Sequence, residues 1–244
     1  MLLYKAWLET RGRFLAAALV LALLGLATVL RAQATISSWE AFHNGEHMEY
    51  ALYVWLSLSH GYLQFLWIIC AVILGLGGLL REHSLGTSGF TLSLPVRRWV
   101  LVVTRASVGA AEAIVLGLIS GVLVAVLSPI VGHRFPIGQA FLFGFVLAGG
   151  GLAFYALGLF LSHVIRGEYA APGLGLGIIA AFYLLTRVPA FDGLDVFELM
   201  SGAEFMSSKT FLLTSFPGRE VAGWLAGAIA FGLLSVLAAA RKEF

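Results

Sequence analysis

The sequence predicts an all-α membrane protein with six transmembrane helices and both termini on the cytoplasmic side. Three observations carry this. Of 244 residues, 60% are hydrophobic and 11% charged, against about 45–50% and about 25% in soluble domains; mean hydropathy is +0.94. The apolar residues gather into six runs near the roughly 20 residues that a bilayer-spanning helix needs. The six prolines all fall at the ends of those runs, where a missing amide donor costs least. A soluble fold is excluded for want of polar surface, and disorder because disordered chains are poor in apolar residues. One cysteine, Cys70, excludes a disulfide scaffold. The net charge of +2 is spread in small groups between the runs, so no basic face and no nucleic-acid partner is expected.

In chain order, the expected spans are Phe14–Ala32, Leu58–Leu80 with a start that is open to an earlier residue, Trp99–Ser128, Gln139–Val164, Ala171–Val188 and Val221–Ala240. Pro95 precedes the third and Pro129 follows it. Pro136 precedes the fourth, Pro172 opens the fifth with Pro189 behind it, and Pro217 precedes the sixth. Glycines are frequent within the fourth and fifth spans: Gly144, Gly149, Gly150, Gly151, Gly158, Gly173, Gly175 and Gly177. They fit close helix approach or the general glycine enrichment of membrane helices.

Lys and Arg in the loops set the orientation. With the N-terminus inside, the inner set is Lys5, Arg11, Arg13, Arg81, Arg97, Arg98, Arg105, Arg166, Arg241 and Lys242. The outer set is Arg31, Arg134, Arg187, Lys209 and Arg219, which completes the 15 cations of the chain. The first span is not expected to be a cleaved signal, since its apolar run exceeds the usual 7–15 residues. Residues 1–13, with Tyr4 and Trp7 among Lys5, Glu9, Arg11 and Arg13, read as an amphipathic helix in the inner interface. Two long connections fall outside. Residues 33–57 carry Trp39, Tyr50, Tyr53 and Trp55, an expected aromatic belt; residues 189–220 are apolar enough for a re-entrant or interfacial helical hairpin.

The inner connection between the second and third spans runs from Arg81 to Arg98. It contains Glu82 with Gly86-Thr87 four residues on, then Leu92-Ser-Leu-Pro-Val-Arg-Arg98 leading into the third span. Together with the segment Tyr4–Phe14 before the first span, this resembles the permease subunits of ABC-2-type ATP-binding-cassette transporters. The architecture matches over nearly the whole chain, the motif over about residues 81–98. Arg97 follows Val96 directly, without the Ser common in that family, and Ser88-Gly89 stand where a helix former is usual.

The resemblance implies the ABC-2, type V exporter-like, permease fold as a single transmembrane domain over 1–244. Residues 1–13 would be its elbow helix, 81–98 its cytoplasmic coupling-helix loop and 189–220 its extracellular re-entrant element. It also implies that Glu82, Gly86, Thr87, Leu92, Leu94, Pro95, Val96, Arg97 and Arg98 dock on a separate nucleotide-binding ATPase subunit. A second permease chain, the same or related, would complete the assembly in the cell membrane. The substrate would be a hydrophobic or amphipathic molecule such as a drug, lipid or peptide, moved outward. The chain has no G-x-x-x-x-G-K-[ST] segment, so ATP and Mg would bind the partner and no cofactor or metal is expected here.

Glu112 is the one acid well inside an expected span. A carboxyl at that depth costs several kcal/mol unless it is partnered. Three roles are open: a translocation-path or dimer-interface residue, a partner of Arg105 seven residues earlier, or a neutral group bonded to another helix. His163, Tyr155 and Tyr183 also lie in spans and read as packing residues. The outer His43-Asn-Gly-Glu46-His47 matches H-x-x-E-H, so a membrane-embedded metal-dependent hydrolase is one alternative. Asn44-Gly45 favours a turn there, and the adjacent Glu-Glu pair that intramembrane proteases use is missing. A non-catalytic membrane assembly factor is the other alternative.

Overall fold

The computed structural model describes residues 2–43, 47–76, 97–165, 170–188 and 195–241. They form helices throughout: α1 (Leu2–Leu30), α2 (Ala32–Phe42), α3 (Tyr50–Leu58), α4 (Tyr62–Gly75), α5 (Arg98–Leu127), α6 (Ile137–Val164), α7 (Ala170–Leu185), α8 (Val196–Ser201) and α9 (Gly218–Arg241). A 3-10 turn, Ala203–Phe205, and an isolated antiparallel bridge between Met206 and Leu213 lie between α8 and α9.

Among the described residues, five stretches are long and apolar enough to cross a membrane: Leu2–Leu30, Tyr50–Gly75, Trp99–Leu127, Ile137–Val164 and Gly218–Arg241. The expected fifth span, Ala171–Val188, appears as α7, 16 residues long. At 1.5 Å per residue this is about 24 Å, short of a hydrocarbon core of about 30 Å. The helix stops at Leu185 because Thr186 and Arg187 turn the chain ahead of Pro189. Three of the prolines sit where the sequence puts them: Pro136 is the N-cap of α6, Pro172 lies in the first turn of α7 and Pro217 precedes α9, while Pro95 and Pro189 lie outside the described residues.

Three expectations change. The segment 1–13 is not a separate interfacial helix, since α1 runs unbroken for 29 residues from Leu2. Nothing in Lys5–Arg13 breaks the helix, and its first turns continue directly into the apolar run. The connection 33–57 is not an aromatic loop but two helices, α2 and α3. Tyr53 and Trp55 are buried in it, the Tyr53 hydroxyl donating to the Thr28 carbonyl at 2.7 Å and the Trp55 indole to the Ser201 carbonyl at 3.1 Å. Of the expected hairpin over 189–220, the described part, from residue 195, holds six-residue α8, the 3-10 turn, the short bridge and the first residues of α9. Gly202, at φ +69°, ends α8, and Phe211, at φ 51°, reverses the chain. Gln139 pins that reversal to α6, its amide donating to the Leu213 carbonyl at 3.0 Å while its oxygen accepts the Leu213 N–H at 3.1 Å.

α6 is the central helix, packed against α4, α5, α7, α8 and α9. Apolar helices gain little from leaving lipid for one another, so close backbone approach has to supply the attraction. Here the glycines settle the question left open by the sequence. A Cβ on Gly158 would lie 2.5 Å from the Val72 carbonyl oxygen, and one on Gly151 would lie 2.3 Å from the Trp67 ring; across the same crossing, a Cβ on Gly75 would meet the Tyr155 carbonyl at 2.3 Å. Gly173 and Gly177, by contrast, have nothing within 4 Å. The outer faces of α1 and α9 carry exposed Leu15, Leu19, Leu23, Ile229, Leu233 and Leu237, the surface a bilayer covers.

Gly158→Val should therefore lower stability by about 1–3 kcal/mol, the usual cost of overpacking. Gly177→Ala should unfold as the parent does. Thermal unfolding of both variants in detergent checks this, and equal melting temperatures would remove the α4–α6 crossing as a source of stability.

Candidate functional site: a polar junction of α1, α4, α5 and α6

Polar side chains inside apolar helices have to find partners on neighbouring helices, because no water is at hand. They do so where the N-terminal parts of α1 and α5 meet the C-terminal end of α4. On α1, Glu9, Thr10 and Arg13 lie within four residues, so Glu9 and Arg13 share a face. On α5, Arg105 and Glu112 are seven residues apart, about 10 Å along the axis. That gap is too wide for them to pair with each other, and each turns to α1 instead.

The Arg105 guanidinium donates twice to Glu9 Oε2, once from Nε at 3.1 Å and once from Nη2. Lys5 stands 3.7 Å from the other Glu9 oxygen. The Thr10 hydroxyl donates to Glu112 Oε1 and also approaches the Ala6 carbonyl at 3.1 Å. Glu112 is 3% exposed and its Oε2 is buried, with no hydrogen-bond partner among the described residues. Arg13 is near enough for its charge to act on the Glu112 carboxyl. It also donates to the Ile73 carbonyl of α4 at 3.1 Å. The buried Tyr155 of α6 closes the group by donating to the Ala106 carbonyl of α5 at 3.1 Å. Gly109 makes room for it, since a Cβ there would sit 2.3 Å from the Tyr155 hydroxyl.

Glu112 is thus not a partner of Arg105, which turns to Glu9. The chain encloses Glu112, because Thr10 of α1 reaches its carboxyl. Of the residues expected to meet an ATPase, Glu82, Gly86, Thr87, Leu92, Leu94, Pro95 and Val96 lie outside the described residues. Arg97 is the exposed N-cap residue of α5, and Arg98 is the first residue of that helix. His163 is buried, its Nδ1–H donating to the Leu159 carbonyl at 2.8 Å.

The two described histidines of the hydrolase alternative turn to different partners. His43 stacks on Trp39 at 3.7 Å and bonds its carbonyl, while His47 pairs with Glu40 at 2.5 Å. Glu46 lies outside the described residues. Among the described residues no three of His, Cys, Asp and Glu are placed to hold a metal. Sequence reading missed Thr10 altogether. It missed the role of Glu9 and Arg13 although their i, i+4 spacing at the head of an apolar run was a usable signal.

Residues 11–214 match the family model described as ABC-2 family transporter protein. The match takes in Arg13, Arg105, Glu112 and Tyr155 and stops short of α9. No curated protein matches the chain.

Thr10→Val should leave the Glu112 carboxyl without its hydrogen-bond donor and destabilise the chain by about 1–3 kcal/mol, the penalty for an unsatisfied buried acceptor. Thr10→Ser should restore most of it. Denaturation of the three proteins in one detergent checks this; a Val variant as stable as the parent would show that the contact contributes nothing.

Proposed function

From the membership of this chain in the ABC-2 family of transporter proteins, established by the match over residues 11–214, we propose that it is the transmembrane subunit of an ATP-driven exporter. The family and the five apolar helices make it a multi-pass membrane component of a transporter. The finer reading is that it exports a hydrophobic or amphipathic substrate, energised by ATPase subunits on other polypeptides and paired with a second permease chain. The missing phosphate-binding loop in this sequence supports an ATPase in trans. In this reading α7 is the sixth crossing, made short by the turn at Thr186, and both termini are cytoplasmic, as the ten-to-five distribution of cations favours.

The family match carries the proposal, and the polar junction gives it a mechanical form. Residues 81–98 would receive the movement of the ATPase as it binds and hydrolyses nucleotide. That segment leads directly into α5. α5 is tied to α1 by Arg105–Glu9 and Thr10–Glu112, and to α6 through Tyr155. A push on the head of α5 would then move α1 and α6 with it rather than bend α5 alone. Glu112 serves in this reading as the joint between two helices of one chain.

The experiment is a detergent pull-down of the tagged chain from its native membrane, with bound proteins identified by mass spectrometry. A stoichiometric nucleotide-binding subunit is expected, and Pro95→Ala with Arg97→Ala should remove most of it while leaving the melting temperature of the chain unchanged. Glu112→Gln should keep the ATPase bound yet reduce transport. Purification of the parent chain without any ATPase would overturn the proposal.

A further inference from the structure

At the end of the bundle away from the polar junction, the start of α4, the end of α7 and the start of α8 border a half-open cavity of about 710 Å³. That is within the roughly 300–1,000 Å³ of small-molecule sites. One wall is aromatic. Phe65, Tyr183 and Phe197 contact one another, with ring centres 5.6 Å, 6.3 Å and 6.1 Å apart for Phe65–Tyr183, Phe65–Phe197 and Tyr183–Phe197. The wall is held firmly: buried Gln64 donates to the Phe197 carbonyl at 2.7 Å.

Two opposite charges line the same cavity. Arg187 lies over the Tyr183 ring, 5.2 Å from its centre, and donates to the Tyr183 hydroxyl at 2.8 Å. This fixes one edge of its guanidinium and leaves the remaining donors of the fork for something else. Asp195 accepts the Phe197 and Glu198 N–H groups on Oδ1 at 2.9 Å and 3.0 Å, which leaves Oδ2 to face other groups. Although both border one cavity, Arg187 and Asp195 form no ion pair with each other. A single positive charge would favour an anion, and a single negative charge a cation. The two together, without an ion-pair partner among the described residues and beside an apolar wall, favour a molecule that carries both.

We propose that this cavity binds a zwitterionic amphiphile, with its anionic group on Arg187, its ammonium at Asp195 and its apolar part against Phe65, Tyr183 and Phe197. The aromatic faces also suit the ammonium group. Such a ligand comes from two sources, the head group of a bilayer phospholipid or a free single-chain amphiphile of the same head group. The inference goes beyond the transporter reading and does not need it, because binding is a property of this chain without an ATPase.

Native mass spectrometry of the full chain tests it in two arms. In the first, the chain is released from nanodiscs holding equal amounts of phosphatidylethanolamine and phosphatidylglycerol with identical acyl chains. In the second, the detergent-solubilised chain is titrated with lysophosphatidylethanolamine. Retained adducts should favour the ethanolamine lipid, and Arg187→Gln and Asp195→Asn should each reduce them about tenfold, as expected for loss of one charge-assisted contact. Asn preserves the helix cap and Arg187 is exposed, so both variants keep the fold. Asp195→Asn should also shift retention toward phosphatidylglycerol. Adducts confined to the nanodisc arm support the proposal with a bilayer lipid as ligand, and adducts in the detergent arm support it with a free amphiphile. Equal retention of the two lipids by the parent, unchanged ethanolamine-lipid binding by Asp195→Asn, or no adduct in either arm would overturn it.

Discussion

The backbones of α4, α5 and α6 approach so closely that a methyl group at several crossing points would collide with a neighbouring main chain. Inside a bilayer this contact has to replace the hydrophobic effect, because lipid tails welcome an apolar helix as readily as another helix does. Gly75 and Gly158 bring α4 onto α6; Gly117 and Gly121 bring α5 onto α6, with Ala148 and Ala140 opposite them. Larger side chains then lock the arrangement by reaching backbone acceptors across the crossings, as Trp67 does to the Leu147 carbonyl at 3.0 Å. The polar junction depends on the same geometry. Tyr155 reaches the α5 backbone because Gly109 leaves space for its ring, and Glu112 meets Thr10 because α1 rests on α5 at that height.

Magnitudes rank the contacts in the junction. Glu9 is about 29% exposed, and ion pairs at such positions contribute about 0–1 kcal/mol once screening is allowed for. The Lys5–Glu9–Arg105 group therefore orients α1 on α5 more than it stabilises them. The Thr10–Glu112 contact is enclosed by the chain, where leaving an acceptor without its donor costs about 1–3 kcal/mol. The small hydroxyl, not the larger charged groups, is what holds the buried carboxyl.

Much of this was legible in the residues. Apolar runs and prolines placed the long helices, and Glu112 stood out because charge is rare at such depth. The motif between the second and third expected spans led to the family. What the sequence concealed has physical causes. Hydropathy marks how apolar a segment is but not whether it bends, so α1 could not be divided or joined by composition, and the aromatic residues of α3 looked like interface when they are core. In the described part of the 189–220 segment, from residue 195, apolar residues pack on the bundle with only one short helix, because Gly202 ends α8 and Phe211 reverses the chain. Thr10 carried no signal, since a threonine in a helix ordinarily bonds back to its own preceding turn.

α4 connects the two polar regions of the molecule. Its last turn presents the Ile73 carbonyl to Arg13 of the junction, and its first turn supplies Phe65 and Gln64 to the cavity wall. Fourteen residues span about 21 Å at 1.5 Å per residue. Over that distance the helix is backed by α6 through Trp67 and the crossing of Gly75 with Gly158, which leaves it little freedom to flex. A helix held this way moves as a rod. Displacement of the junction, which includes the helix that follows the expected ATPase-docking segment in the sequence, would therefore alter the spacing of Phe65 from Tyr183 and Phe197 at the far end. Both ends are joined by packing within one chain, so the link needs no contact from another chain.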